Sequence, residues 1–564
     1  MFQDFQELIK KYFQEADSSS EKSFTEPDYD FLSSTFLSDC WKKIGKKRRA
    51  GIRVPLFFIY TRKSAGIGEI PDLKLMIDWC VKTGSSILEL LPLNDVGFSF
   101  SPYSSESSFA LDPMYLSLQD MVSIKGNLQK EAIGLKTRFP LSSKVDYGIK
   151  GEKLKTLWNV FLTQAEFPSQ LKEFVEANSF WLEDYCLFRV LKDLQQQREW
   201  KDWEERFRDR DEESLQEIKT RHKNSIKFYQ WLQWQLYSQL KSVKDYADSR
   251  DVLLKGDLPW MVNRDSADVW AYREKYFDLE FAAGAPPDMF SAEGQRWGMP
   301  PLKWNNIFAD DFSYIAKKLQ LAQNFYHLFR IDHVVGLFRM WKIPLYIPPE
   351  EKGTKGSFEP KERDDWERQG RKILKAIIKS TSMLPCAEDL GSVPFFCYDI
   401  LKELGIPGIR VQRWNKKDLG SKEFKDPKDY ARLTISTLST HDTSNWLEWW
   451  NKEASNQKKK NLLKVVFEGN VPLFLSLEKL ITKNLESINK ASSIFCILML
   501  TEWLFLDSFL DRDKPSDYRF NIPGIISDEN WSLRMPAPLE ELLEQPFNQK
   551  IRKIISKTKR TPQS

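Results

Sequence analysis

The chain has 564 residues, 41% of them apolar and 29% charged, and its 84 Lys and Arg nearly balance 80 Asp and Glu for a net charge of +4. That balance excludes the basic footprint of a nucleic-acid or acidic-membrane binder, and the length accommodates a barrel carrying insertions. The longest apolar run, Ile494–Leu500, is too short to cross a bilayer, and Met1–Phe5 lacks the basic-then-apolar pattern of a signal peptide. Six cysteines (40, 80, 186, 386, 397, 496) without CxxC spacing read as reduced core thiols, which points to a cytoplasmic setting.

Residues 1–50 read as an N-terminal extension: a weakly amphipathic start, a serine-rich stretch at 18–23 and the basic cluster Lys46–Arg49. At Gly51 the texture changes. Ile52–Tyr60 is strand-like, and Ile70–Gly84 carries apolar residues at 73, 76, 77, 80 and 81, a helical spacing that Gly84 stops. Ser86–Leu93 reads as the next buried strand. From about 150 to 245 the chain is dense in charge and tryptophan, with helices predicted over Phe180–Leu194 and Phe228–Leu240. Between them Arg198–Lys223 is so charged that it reads as a solvated face or mobile helix. This span is expected to be an insertion.

Beyond it, apolar strands alternate with helical stretches. Asp251–Asp257, Leu328–Ile331, Met383–Ala387, Ile406–Trp414, Leu433–Asp442 and Ser493–Leu500 are the strand candidates; Tyr314–Asn324, Ile373–Ile378 and Phe395–Leu404 are the helices. Strands buried on both faces read as near-continuous apolar runs, and such alternation argues for a parallel α/β fold. Four of the strands run into a carboxylate: Asp257, Asp332, Glu388 and Asp442. In a barrel the C-terminal ends of all strands face one site, so this coincidence predicts a (β/α)8 barrel, residues 51–564, with large helical insertions.

Asp332, Glu388 and Asp442 stand roughly 55 residues apart, a gap that holds one or two βα units. His333 and His441, two of only four histidines, adjoin two of them. Taken alone, Arg330 and Asp332 would be an ordinary ion pair at a strand end. Three carboxylates together suit retaining chemistry at a sugar's anomeric carbon, which needs a nucleophile and a proton donor, while a third carboxylate and neutral imidazoles can grip the ring hydroxyls.

The segments Arg330-Ile-Asp-His333, Ala387-Glu-Asp-Leu-Gly391 and Thr440-His-Asp-Thr443 resemble the catalytic segments of 4-α-glucanotransferases (amylomaltases) within the α-amylase clan. Gly284-Ala-Pro-Pro-Asp-Met-Phe-Ser-Ala-Glu-Gly-Gln-Arg-Trp-Gly298 is similar to the loop that sets amylomaltases apart from amylases. Ser101-Pro-Tyr103, Gly256-Asp-Leu-Pro259, Asp265–Trp270, Asn521-Ile-Pro-Gly524 and Asn530-Trp531 extend the likeness from about residue 51 to about 534. The resemblance implies Asp332 as nucleophile, Glu388 as general acid/base and Asp442 as transition-state stabiliser. It further implies that Arg330, His333, His441, Asp257 and Tyr103 line the subsite under attack, and that Gln295 and Trp297 belong to the acceptor-side loop. The implied substrates are malto-oligosaccharides and α-1,4-glucans derived from glycogen or starch. No metal or organic cofactor is implied, and no HExxH, calcium loop or phosphate-binding glycine loop occurs. A hydrolase of the same clan and a non-catalytic glucan-binding barrel are the alternatives. Thr501-Glu-Trp503 stands where the family usually has Gln-Asp, and Ile525 follows Pro-Gly where Thr or Arg is commoner.

Overall fold

Eight short strands with buried side chains on both faces need helices outside and a packed interior, and they form a closed parallel barrel. A computed structural model of the chain describes residues 26–122, 128–288, 291–418, 420–525 and 527–561. The expected amphipathic start and serine-rich stretch lie outside the described residues.

The barrel strands are β1 (Arg49–Val54), β2 (Ile87–Leu90), β3 (Leu253–Asp257), β4 (Leu328–Ile331), β5 (Leu384–Ala387), β6 (Gly408–Val411), β7 (Thr434–Thr437) and β8 (Phe495–Met499). Each pairs in parallel with the next, and β8 closes on β1. This is the (β/α)8 barrel that the alternation predicts. The strand expected over Ile52–Tyr60 begins earlier, at Arg49, and ends at Val54 before Pro55, which carries no amide hydrogen for a ladder. The boundary expected at residue 50 therefore falls inside β1.

Part of the barrel interior is ionic. Arg53 of β1 is in register with Glu89 of β2, and Glu89 with Lys255 of β3. Arg53 Nε lies 3.0 Å and Lys255 Nζ 2.8 Å from Glu89 Oε1. Burial alone would raise the Glu89 carboxyl, but the two cations overcome it and hold it down at about 2.

Two features frame the barrel. At its N-terminal end the helix Ser38–Ile44 buries Trp41, whose indole N–H donates to the Gly405 carbonyl at 2.8 Å and whose ring packs 5.7 Å from Phe495. Gly405 itself ends the helix Phe395–Leu404 at φ 84°, a left-handed conformation that glycine adopts freely. Between β2 and β3 stand the helices Leu128–Arg138, Gly148–Leu162, Ser169–Ala177, Ser179–Leu194, Glu212–Arg221 and Lys223–Ser249. The charged span 198–223 is not wholly a solvated face. Trp200, Trp203, Phe207, Leu215 and Ile218 are buried, because the few apolar side chains turn inward while the charges face out.

A four-stranded antiparallel sheet, not anticipated from the sequence, stands over one side of the barrel mouth. Its strands, in spatial order, are Gln295–Arg296, Phe281–Ala285, Met340–Pro344 and Ser357–Glu359. Among the described residues no helix is long and apolar enough to cross a membrane.

Candidate active site

Asp332 and Glu388 follow directly on β4 and β5, whose last residues Ile331 and Ala387 are in register. The two acids therefore leave neighbouring strands at the same level. The ladder continues past the strands: Glu388 N donates to Ile331 O at 2.9 Å, and Val334 N to Glu388 O at 3.1 Å. Between them the chain turns through His333 at φ 44°, a left-handed conformation that costs a non-glycine residue strain. The turn swings the His333 amide round to Glu388, and it donates to Oε2 at 2.8 Å. Leu390 N donates to the other oxygen at 2.9 Å. The peptide carbonyl of Asp332 accepts the Trp260 indole N–H at 2.9 Å.

Arg330, the residue before Ile331 on β4, binds the acids together. Its Nη1 lies 2.7 Å from Asp332 Oδ1 and 2.9 Å from Asp257 Oδ2, and its Nη2 4.0 Å from Glu388 Oε2. The strand-end ion pair of Arg330 and Asp332 exists, and it is one arm of a larger cluster. Asp257 was expected to line the subsite; it is only 2% exposed and stands behind Arg330 and Tyr103, which occupy its oxygens.

The Tyr103 hydroxyl donates to Asp257 Oδ2 at 2.8 Å, and His441 Nε2 lies 2.7 Å from the Tyr103 hydroxyl oxygen. With the phenol proton committed to Asp257, Nε2–H of His441 is the donor to Tyr103. The two rings stack at 5.3 Å and 16°. Asp442, reached by the turn after β7, places Oδ2 3.2 Å from His441 Nε2 and receives Asn521 Nδ2 on Oδ1 at 2.7 Å.

These surroundings set different proton affinities. Burial raises the Glu388 carboxyl, the Asp332 charge adds to the rise and Arg330 opposes it, leaving it at about 7. For Asp442 burial also pushes upward, but His441, Asn521 and Arg330 prevail and hold it well below the usual carboxylate range. Burial lowers the His333 imidazole to about 4, so it is neutral at pH 7. Near neutrality Glu388 can give or take a proton while Asp442 stays charged.

A cavity of about 1450 Å³ opens over the cluster. Tyr103, Gln295, Trp297, Arg330, Asp332, His333, Glu388, His441 and Asp442 all line it, so nine of the ten expected residues share one chamber. Trp297 stands edge-on to His333 at 4.8 Å and 80°, with its indole N–H on Gln295 Oε1 at 2.9 Å. Asn521 and Trp260 were not assigned roles from the sequence; Asn521 lay in a quoted motif, whereas Trp260 carried no signal. Glu502, within the unusual Thr501–Trp503 segment, is buried away from the cavity and accepts from Ser439 and the Trp446 amide. Ile525 does reach the cavity wall.

An eight-stranded parallel barrel with neighbouring carboxyl groups at its C-terminal mouth, one of them raised to about 7, fits an enzyme that works on glycosidic bonds. Residues 54–540 match the family model of the 4-alpha-glucanotransferases, glycoside hydrolase family 77, and the chain belongs to that family. A 4-alpha-glucanotransferase of Chlamydia pneumoniae is 36% identical over 525 residues, covering 92% of this chain and 97% of the relative. One from Thermus thermophilus is 31% identical over 395 residues, 67% of this chain and 75% of its own. The amylomaltase from Streptococcus agalactiae, solved in complex with acarbose, shares the fold with a TM-score of 0.76 at 24% identity, over 91% of this chain and 100% of that one.

Proposed function

We propose that this cavity transfers segments of α-1,4-glucan from a donor chain to the 4-hydroxyl of an acceptor glucan or glucose. Asp332 attacks the anomeric carbon of the donor, forming a C1–O ester bond as the glycosidic C1–O4 bond breaks. Glu388 gives its proton to the departing 4-oxygen. In the second step the acceptor's 4-hydroxyl loses its proton to Glu388 and displaces Asp332, and two inversions leave the α configuration unchanged. Asp442, held as an anion, stabilises the oxocarbenium-like charge on the ring, while Arg330, His333, His441 and Tyr103 hold hydroxyls and Asp257 steadies Arg330 and Tyr103.

One observation carries this reading: Asp332 and Glu388 leave adjacent strands in register and share Arg330, with Glu388 raised to about 7. Neighbouring strands lie about 4.8 Å apart, which suits the roughly 5–5.5 Å separation of a retaining pair. The Gly284–Gly298 loop, whose Trp297 adjoins His333 and is held by Gln295, is the proposed cover that keeps water from the intermediate. The substrates proposed are malto-oligosaccharides and glycogen- or starch-derived glucans. Five buried, unpaired thiols support a cytoplasmic location.

Incubation with maltotriose tests the reading. Glucose and a ladder of longer oligosaccharides should appear with little gain in reducing ends. A steep rise in reducing ends without longer products would make the protein a hydrolase, and no products from folded protein would make it a binding barrel.

A further inference from the structure

The antiparallel sheet over the barrel mouth presents more than the Gln295–Trp297 edge. Gly284, Trp341 and Phe358 are directly opposite one another across three of its strands, so they face the same way, and all three line the cavity. A Cβ on Gly284 would meet Gln295 O at 2.2 Å, so this row is bare at one end and aromatic at the other.

The aromatic end is rigid. Trp341 donates its indole N–H to Gly353 O at 2.9 Å, which spends its one polar group on the sheet and leaves the ring as an apolar surface. Phe358 stands edge-on to it at 4.8 Å and 68°. Arg339 stacks on Phe358 at 4.2 Å and on Trp366 at 4.6 Å. Its Nη2 donates to Ser392 O at 2.9 Å, in the loop that runs on from Glu388 through Leu390.

That last bond fixes which side of the bond-breaking centre this is. The leaving sugar departs, and the acceptor arrives, on the side of the group that trades protons with it. Arg339 reaches the loop after Glu388, with Phe358 against Arg339 and Trp341 against Phe358, whereas Asn521 and Tyr103 adjoin Asp442 and His441.

We propose that Trp341 and Phe358, braced by Arg339, form a platform for the second glucose unit of an acceptor chain, so that this chamber favours oligosaccharide acceptors over free glucose. The proposal rests on the glucanotransfer reading. Glucose in the first acceptor position would meet Trp297 and His333 and stop short of the sheet's aromatic end. A longer acceptor lays the apolar face of its next ring on the indole and phenyl surfaces, which are already ordered and give up little freedom on binding.

The experiment supplies α-maltotriosyl fluoride as donor, which leaves without protonation, and compares glucose with maltotriose as acceptor. In Trp341→Ala, and in Phe358→Ala should the first variant fail to fold, the ratio of kcat/KM for maltotriose to that for glucose should fall roughly tenfold, chiefly through KM for maltotriose. A ratio that holds in both variants, whether the two rates stay or fall together, makes the aromatic row a structural wall and overturns the platform. Wild-type protein that transfers to neither acceptor removes the glucanotransfer reading itself, and the platform with it.

Discussion

At the residue scale the decisive asymmetry lies between Glu388 and its neighbours. In the proposed mechanism the first step with a natural donor needs Glu388 protonated, so kcat/KM should fall as pH rises through about 7. An α-glycosyl fluoride needs no proton on its leaving group, and with it the alkaline limb of the first step should disappear. Rate–pH profiles with the two donors check this; the same limb on both would assign the titration to another group. Asp332→Asn should lower transfer by on the order of a thousandfold or more, because an amide is a poor nucleophile. Folding should change little, since Arg330 keeps Asp257. Parallel melting curves and rates separate the two effects. The three acids were legible in the sequence because each interrupts an apolar run with a charge. Asn521 and Trp260 were not, since an amide or indole gains meaning only from the partner the fold supplies, here Asp442 Oδ1 and the Asp332 carbonyl. Arg53, Glu89 and Lys255 were likewise hidden: their joint burial follows from strand register, which no single strand carries.

Among the elements, the long helices and barrel strands were readable because periodicity and burial agree over many residues. Phe395–Leu404 with its glycine stop is the clearest instance. The antiparallel sheet was not, because its strands run two to five residues through glycine and proline and bury themselves only by pairing with segments far along the chain. Its Gln295–Trp297 edge carries a prediction. In Trp297→Ala the contact with His333 is lost and the acceptor side opens, so the ratio of hydrolysis to transfer with maltotriose should rise several-fold, by the logic of water exclusion. Counting reducing ends against ladder products measures it. An unchanged ratio would mean that the edge merely props the sheet.

For the molecule as a whole, the helices between β2 and β3 are keyed into the site. Lys150, wholly buried, lies 2.8 Å from both Asp95 Oδ1 and Asp112 Oδ2, and Arg189 Nη1 lies 2.7 Å from Glu106 Oε2. Those acids belong to the stretch 95–112, which carries Tyr103. Lys150→Met would strand two buried carboxylates and should cost about 3–5 kcal/mol of stability. Because the same stretch holds Tyr103 against His441, kcat/KM should fall in variant protein that is still folded. Denaturant midpoints and initial rates read the two separately; a stability loss with full activity would confine the lysine to scaffolding.

Closure of the barrel also has a history in time. Arg49 of β1 pairs with Phe495 of β8, and Arg560 then straps the seam by donating to the carbonyls of Asn489, Ala491 and Ser493 and to that of Arg49. The partner strand is made about 450 residues after the first, which at ribosomal speed is on the order of half a minute. Until that strand is made, the edge of β1 opposite β2 has no partner to pair with. Four consecutive cations, Lys46 to Arg49, lead into it, and charge at an open edge is what discourages two nascent chains from pairing with each other instead.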